Sequence, residues 1–277
     1  MRNIFLIGEV GINHNGSVKI AKKIIDLAVE SGFNAVKFQK RDPDISVPKY
    51  KKNEIKNSPW GNISYLNYKK KIEFNKKQFD EINKYCKKKK IEWFASVWDI
   101  PSLEFISKYK PKYHKVASSM LTNTELLEKI AKKKIKTFVS TGMSNIKQVD
   151  KAIKIFKKNK CPYILMHSVA IYPCPMEKLN LKMIKTLKKR FKCSIGYSGH
   201  EVNVTPSVYA ASLGADYIER HITINRAMWG TDQAASLGPD GTKLLRVLLD
   251  KLVLCEGNGV KNFFSEEKNK LKTMKYW

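Results

Sequence analysis

Paired cysteines and long apolar runs are missing from this chain of 277 residues. Its five cysteines are scattered and form no Cys-x-x-Cys pair, which argues against a disulfide framework and against a zinc knuckle. No apolar stretch approaches the roughly 20 residues that cross a bilayer. The apolar run at 4–8 is too short for a signal peptide and has no small-residue cleavage site. We therefore expect a cytoplasmic protein that has no membrane partner.

Arginine is also scarce, although the chain is strongly basic. The formal net charge is +28, yet only six of the 53 basic residues are arginine. Lysine runs such as 87–90 and 132–134 fall in helix-like stretches, where solvated outer faces are expected. The sequence shows no zinc finger, aromatic RNA-binding motif or dimeric recognition helix. We interpret the charge as a compositional bias towards lysine and expect no nucleic-acid partner.

The hydrophobic pattern alternates between strand-like and helix-like segments along nearly the whole chain. Apolar, β-branched runs at 4–8, 35–38, 91–97, 113–116, 135–140, 163–167, 193–196 and 216–220 predict eight strands. Amphipathic segments at 18–28, 79–86, 126–131, 149–156, 181–187 and 208–213, with a last one at 244–254, predict helices between and after them. This order predicts an α/β protein with a (β/α)₈ TIM barrel, formed as one domain over 1–277. A doubly wound open sheet is the alternative, but it would need fewer repeats or a second domain.

One connection departs from this regular alternation. Residues 40–74 carry prolines, aromatics and charges without clear periodicity, and they follow the second predicted strand. A loop this long within a compact domain is usually functional, often as a lid or a binding loop. Simple disorder is the alternative, but the aromatic residues indicate that the loop packs against something.

Two histidines end neighbouring predicted strands. His200 closes the run 194–200, His221 closes the run 216–221, and 201–214 between them is long enough for one helix. A strand–helix–strand unit of this length places both strand ends on the same face of a parallel sheet. Two imidazoles with coordination positions left open suit a catalytic divalent metal better than a closed structural site. The alternative is two unrelated polar residues at strand ends.

Charged residues also occur at the ends of other predicted strands, where the catalytic groups of such barrels lie. Lys37 and Lys115 end the second and fourth strands, and a lysine inside an apolar strand is costly unless it meets an anion. Together, beside serine hydroxyls, they fit a phosphate or carboxylate ligand, whereas a lone lysine could reach solvent. Glu9 ends the first strand and is either a general acid or base or the counter-ion of a lysine.

Eight ordered motifs make a family resemblance recognisable. They are EVGINHNG at 9–16, VKFQ at 36–39, KVAS at 115–118, STGM at 140–143, IYP at 171–173, GYSGH at 196–200, ERHIT at 219–223 and WGTDQAASL at 229–237. Together they resemble the sialic acid synthase family, which comprises the N-acetylneuraminate synthases and their relatives. The resemblance covers nearly the whole chain and implies a (β/α)₈ barrel.

The implied reaction condenses phosphoenolpyruvate with an N-acylated aldose of the N-acetylmannosamine type, giving a nonulosonic acid and inorganic phosphate. Carried over to matching positions, the resemblance implies that His200 and His221 bind Mn²⁺ or Mg²⁺ and, with Glu9, are catalytic. It also implies site residues for both substrates: Lys37, Lys115, Ser118 and Ser198 for phosphoenolpyruvate, and Gln39, Tyr172 and Asp232 for the amino sugar.

Some positions depart from the family pattern. Ala170 stands where a polar Asn or Ser is frequent, Asn225 replaces a common aspartate, and Gly238 replaces a common glutamate. The sequence ends at Trp277, whereas many relatives continue into an antifreeze-like domain that lends an arginine to the sugar site of a partner subunit. We expect a single-domain form that is a homodimer, and a separate antifreeze-like polypeptide could supply the missing domain.

Two further readings stay open at this point. The chain could be a synthase for legionaminate or pseudaminate that acts on a diamino-dideoxy sugar. Alternatively, the three substitutions and the missing domain would suit a catalytically silent barrel that serves as a binding or scaffold protein.

Overall fold

The computed structural model describes residues 2–277 and contains a closed parallel barrel of eight strands. The strands are β1 (Phe5–Gly11), β2 (Ala35–Lys40), β3 (Ile55–Ser58), β4 (Gly61–Ser64), β5 (Glu92–Val97), β6 (His114–Val116), β7 (Thr137–Ser140), β8 (Tyr163–Ser168), β9 (Ile195–Gly199) and β10 (Tyr217–His221). All except β3 and β4 belong to the barrel, which closes by pairing β1 with both β2 and β10. The predicted (β/α)₈ fold is confirmed.

Helices follow the barrel strands and surround them. They are α1 (Val18–Glu30), α2 (Pro43–Ser46), α3 (Tyr65–Ile72), α4 (Lys76–Lys89), α5 (Ile100–Ser107), α6 (Thr124–Lys132), α7 (Ile146–Lys158), α8 (Met183–Phe191), α9 (Thr205–Ser212), α10 (Pro239–Glu256) and α11 (Ser265–Met274). Asn75 and Asn145 begin α4 and α7 with reciprocal capping boxes, which satisfy backbone N–H groups that the first turn leaves free. Within residues 2–277, no helix is long and apolar enough to cross a membrane.

Two apolar layers hold the barrel together. The larger one lies between the strands and the helices, where buried faces such as Ile24, Ala28 and Phe156 pack against outward-facing strand residues. The smaller one fills the inside of the barrel at the amino ends of the strands, where Phe94 and Phe138 stack with ring centroids 5.5 Å apart. The interior is therefore closed at that end, and only the carboxyl ends of the strands are open to a ligand.

The interval 40–74 is built largely from short elements instead of the irregular loop predicted from sequence. It contains α2, an antiparallel hairpin of β3 and β4, and α3. Tyr68 is only 1% exposed and packs edge-on against Trp229 at 5.2 Å, so the aromatic residues do anchor the segment. Elements of four to eight residues are too short for a hydrophobic period to show in the sequence.

Buried His114 in β6 predicts a measurable pH dependence of stability. Burial and the charge of Lys133 lower the pKa of His114 to about 4, against 6.5 for an exposed histidine. As the pH falls below 6.5 the unfolded chain therefore takes up this proton first, and the associated stability is lost towards pH 4. We expect His114→Leu to reduce the loss of unfolding free energy between pH 7 and pH 5 by about 2 kcal/mol.

Urea denaturation of both proteins at the two pH values measures this difference. The free energy of unfolding of each protein at pH 5 is compared with its own value at pH 7. An effect of the leucine on packing that is the same at both pH values therefore cancels. An identical pH dependence in the two proteins would contradict the assignment.

Candidate active site

On every barrel strand, an apolar residue that faces the interior is followed, two residues further along, by a polar one. The apolar layer comprises Ile7, Ala35, Phe94, Tyr113 (immediately before β6), Phe138, Met166, Gly196 and Tyr217. Two residues further along, the polar layer comprises Glu9, Lys37, Ser96, Lys115, Ser140, Ser168, Ser198 and Glu219, and all eight line one cavity. Because side chains two apart on a strand point to the same side, this layer forms a polar floor on an apolar plug.

The cavity brings together all ten residues that the sequence assigned to a site. It has a volume of about 280 Å³, near the lower end of the roughly 300–1,000 Å³ usual for small-molecule sites. The ten residues, which form part of its lining, are Glu9, Lys37, Gln39, Lys115, Ser118, Tyr172, Ser198, His200, His221 and Asp232. Their placement at the carboxyl ends of the strands is where barrel enzymes carry their catalytic groups.

A chain of buried ion pairs crosses the cavity floor. The Lys37 ammonium lies 2.7 Å from a Glu9 oxygen and 3.8 Å from Glu219. Lys115 donates to both oxygens of Glu219 at 2.9 and 2.8 Å, and the Ser198 hydroxyl donates to the same carboxylate at 2.9 Å. Each lysine is thus held by a carboxylate, and the structure shows Glu9 as a counter-ion of Lys37.

The two carboxyl groups differ in their electrostatic surroundings. Burial raises the pKa of Glu9 above its usual range, and the nearby Lys37 offsets only part of this effect. Burial also acts on Glu219, but the charges of Lys115 and Lys37 outweigh it and hold the pKa of Glu219 below its usual range. Glu219 is therefore a permanent anion, whereas Glu9 is the carboxyl group that accepts a proton more readily.

The two histidines face each other beside this floor. Their ring centroids are 5.6 Å apart, and the Tyr172 ring lies 4.0 Å from His200. His200 Nδ1 donates to the Val169 carbonyl oxygen at 2.7 Å, which leaves Nε2 with its lone pair free. Burial and the neighbouring His221 lower the pKa of His200 to about 3, so this imidazole is neutral at physiological pH.

This arrangement fits a divalent metal held by two imidazoles. Buried His221 Nδ1 has no hydrogen-bond partner among the described residues, and the nearest carboxylate oxygen, on Asp232, is 3.8 Å away. Imidazole nitrogens are the commonest side-chain ligands of metal ions in proteins, and the oxygen ligands that Mn²⁺ and Mg²⁺ prefer would come from substrate and water. No cluster of three His, Cys, Asp or Glu side chains suited to a metal occurs within 2–277. An ion held by these two imidazoles would have coordination positions left for substrate, as a catalytic metal requires.

A second buried network supports the strands that carry the histidines. Glu201 accepts a hydrogen bond from the Tyr197 hydroxyl at 2.7 Å and lies 2.8 Å from Arg220. Arg220 also donates to the backbone carbonyl of Asn203 at 2.8 Å. These contacts tie the ends of β9 and β10 together from outside the cavity, and they fix the directions of His200 and His221.

Sequence reasoning missed Glu219, Arg41 and Lys69. Glu219 stands two residues before His221 on one strand, so simple alternation places both side chains in the cavity. Arg41 and Lys69 come from the irregular interval and gave no comparable signal.

The three departures from the family pattern are not equivalent in the structure. Ala170 lines the cavity, so the missing polar group bears directly on the site. Asn225 instead accepts a hydrogen bond from the Ala227 backbone in a turn, and Gly238 is the residue before α10. Neither of these two side chains lines the cavity.

The chain is similar to known proteins over most of its length. The model of the NeuB family matches residues 24–261. The chain is 34% identical to the N,N'-diacetyllegionaminic acid synthase of Campylobacter jejuni, over 97% of this chain and 82% of that protein. It is also 34% identical to the N-acetylneuraminate-9-phosphate synthase of Drosophila melanogaster, over 91% and 68%. The crystal structure of an N-acetylneuraminic acid synthetase from Leptospira borgpetersenii superposes with a TM-score of 0.87 at 30% identity, covering 98% of this chain and 91% of that one.

Proposed function

The chain belongs to the NeuB family and is a condensing enzyme that uses phosphoenolpyruvate, and we propose that its second substrate is an N-acylated aldose of the N-acetylmannosamine type. The product would be a nonulosonic acid of the sialic type, with release of inorganic phosphate. The observation that carries this proposal is the polar floor, in which two buried lysines lie beside two histidines that face each other in one cavity.

The reaction forms one carbon–carbon bond and one carbon–oxygen bond, and it cleaves one carbon–oxygen bond. Carbon 3 of phosphoenolpyruvate attacks the aldehyde carbon of the sugar, whose oxygen takes up a proton. Water adds to carbon 2 and loses one proton, which leaves a hydroxyl and the phosphate on that carbon. Phosphate then leaves and takes up the proton of this hydroxyl, which gives the 2-keto acid. The enzyme must therefore hold two anionic groups, align two carbons and manage the protons of water and aldehyde.

The residues of the floor can perform these tasks. Lys37 and Lys115 would bind the phosphate and carboxylate of phosphoenolpyruvate, with Ser118 and Ser198 as hydroxyl donors. Gln39, Tyr172 and Asp232 would hold the sugar. Glu9 would accept the proton of the attacking water, since burial raises the pKa of its carboxyl group.

His200 and His221 would hold the divalent metal, Mn²⁺ or Mg²⁺. Such an ion acts as a Lewis acid that polarises an aldehyde oxygen. The proposal rests on two inward-facing imidazoles whose ring centroids are 5.6 Å apart, of which His200 is neutral at physiological pH.

A second candidate within the same chemistry is a legionaminate- or pseudaminate-type synthase. The 34% identity with the Campylobacter jejuni legionaminic acid synthase favours it as an alternative acceptor class. The silent scaffold considered from the sequence is not favoured, because the substitutions at Asn225 and Gly238 lie outside the cavity and the polar floor is complete.

Phosphate release from phosphoenolpyruvate tests the proposed function. The assay would contain Mn²⁺ and, one at a time, N-acetylmannosamine, its 6-phosphate and a diacetamido-dideoxy hexose. We expect release that depends on an acylated amino sugar and a nonulosonic acid detectable by mass spectrometry. Absence of release with every sugar would contradict the proposal and favour a binding role.

Lys115 offers a test of how the substrates are distributed over the site. Replacing it by methionine should raise the KM for phosphoenolpyruvate at least tenfold, because loss of one charged contact costs about 1.5–3 kcal/mol. The KM for the sugar should change less than threefold. Steady-state kinetics with each substrate varied in turn gives both values, and Lys112→Met, which removes an exposed lysine paired with Glu92, is the matched control. Equal increases in both KM values would contradict this distribution.

A further inference from the structure

Two cations that the proposed chemistry leaves without a role lie at the wall of the active-site cavity. Arg41 directly follows β2, and Lys69 lies on α3. Both also line an adjoining cavity of about 510 Å³, which shares Trp98 and Ser119 with the first one. The wall that the two cavities share therefore carries two positive groups.

Lys69 is a half-buried ammonium without a carboxylate partner. Among residues 2–277, no Asp or Glu oxygen lies within 4.0 Å of its nitrogen, which instead lies over the rings of Tyr65 and Tyr68 at 5.2 and 5.4 Å. Burial and the positive charge of Arg41 lower the pKa of Lys69 to about 8. A cation held in such surroundings gains most from an anionic ligand.

Arg41 connects this cation to the predicted sugar site. It is buried, it pairs with Glu73 at 2.7 Å, and its guanidinium carbon lies 4.4 Å above the Trp98 ring. The contact with Glu73 is made by Nε, and Nη2 donates to Gln39 Oε1. Because Gln39 is a proposed sugar contact, a group bound by Arg41 and Lys69 would lie next to the sugar.

We propose that Arg41 and Lys69 bind a phosphate group of the acceptor, so that the sugar substrate is a phosphorylated N-acylhexosamine. This inference rests on the proposed function and specifies its acceptor class. The aldehyde carbon has to meet phosphoenolpyruvate at the floor, which directs the far end of the hexose towards the shared wall. A nine-carbon product takes three carbons from phosphoenolpyruvate, so a 6-phosphate on the hexose becomes a 9-phosphate on the product. A product of this kind is named for the Drosophila melanogaster relative.

The direct test compares N-acetylmannosamine 6-phosphate with N-acetylmannosamine as acceptors for the unmodified enzyme. We expect kcat/KM to be at least tenfold higher for the phosphorylated sugar, and Lys69→Met to lower that ratio at least tenfold. The KM for phosphoenolpyruvate should change less than threefold in the variant. Lys70→Met is the matched control, because it removes an exposed lysine on the same helix that pairs with Asp44 at 2.9 Å.

Three outcomes would overturn the inference. One is a kcat/KM of the unmodified enzyme that is equal or higher for the unphosphorylated sugar. This measurement does not depend on the folding of a variant. Another is an unchanged preference in Lys69→Met. The third is a rise in the KM for phosphoenolpyruvate that matches the loss with the phosphorylated sugar, which would assign Lys69 to phosphoenolpyruvate. Turnover with only the unphosphorylated sugar would contradict this inference but not the proposed function. Absence of phosphate release with every sugar would contradict both the inference and the proposed function.

Discussion

Replacement of His221 by alanine is expected to lower kcat by about three orders of magnitude. Lewis-acid activation of an aldehyde supplies several kcal/mol of transition-state stabilisation, and about 4 kcal/mol corresponds to that factor. The variant keeps His200 but loses the second imidazole, and a single ligand of this type does not retain a divalent ion in water. The Glu201–Arg220 network lies outside the cavity and does not involve His221, so the strands should keep their positions.

Binding of Mn²⁺ is measured independently of turnover. Electron paramagnetic resonance of free Mn²⁺ should show binding by the unmodified enzyme and little binding by His221→Ala. His167→Asn is a control, because His167 bonds the Leu179 carbonyl at 2.7 Å and does not line the cavity. Full activity after chelation, or unchanged Mn²⁺ binding in His221→Ala, would contradict the metal assignment.

The barrel and most of its floor were predictable because strand periodicity carries the necessary information. Each strand end could be found from an apolar run, and alternation then indicated which residues share a side, as with Lys37 and Gln39. The same rule applied backwards from His221 would have found Glu219. What the rule cannot provide is the pairing across the barrel, since Lys115 and Glu219 are 104 residues apart.

The rim of the site was less accessible to sequence reasoning. Arg41 and Lys69 belong to an interval whose elements are too short to show a period, and their positions depend on tertiary packing. Tyr68 packs against Trp229, and this contact anchors α3, the helix that also carries Lys69. The proposed acceptor contacts thus lie in a segment that only the fold makes interpretable, whereas the residues of the polar floor lie on strands that the sequence pattern reveals.

Glu219→Gln is expected to lower the free energy of unfolding by about 3–5 kcal/mol in the absence of substrate, which is the usual cost of removing one partner from a buried ion pair. Glutamine can still accept the Ser198 hydroxyl, but it leaves Lys115 without a carboxylate and gives Lys37 only Glu9. Glu92→Gln is the matched control on β5, where an exposed pair with Lys112 should contribute less than about 1 kcal/mol.

Phosphoenolpyruvate should partly reverse this loss if the floor lysines bind its anionic groups. In the unmodified enzyme the ligand competes with Glu219 for Lys115, whereas in Glu219→Gln it meets a lysine that has lost its counter-ion. Saturating phosphoenolpyruvate should therefore raise the melting temperature of Glu219→Gln by more than that of the unmodified enzyme, as measured by calorimetry. A smaller shift in the variant would mean that Glu219 positions the lysines for the ligand instead of competing with it.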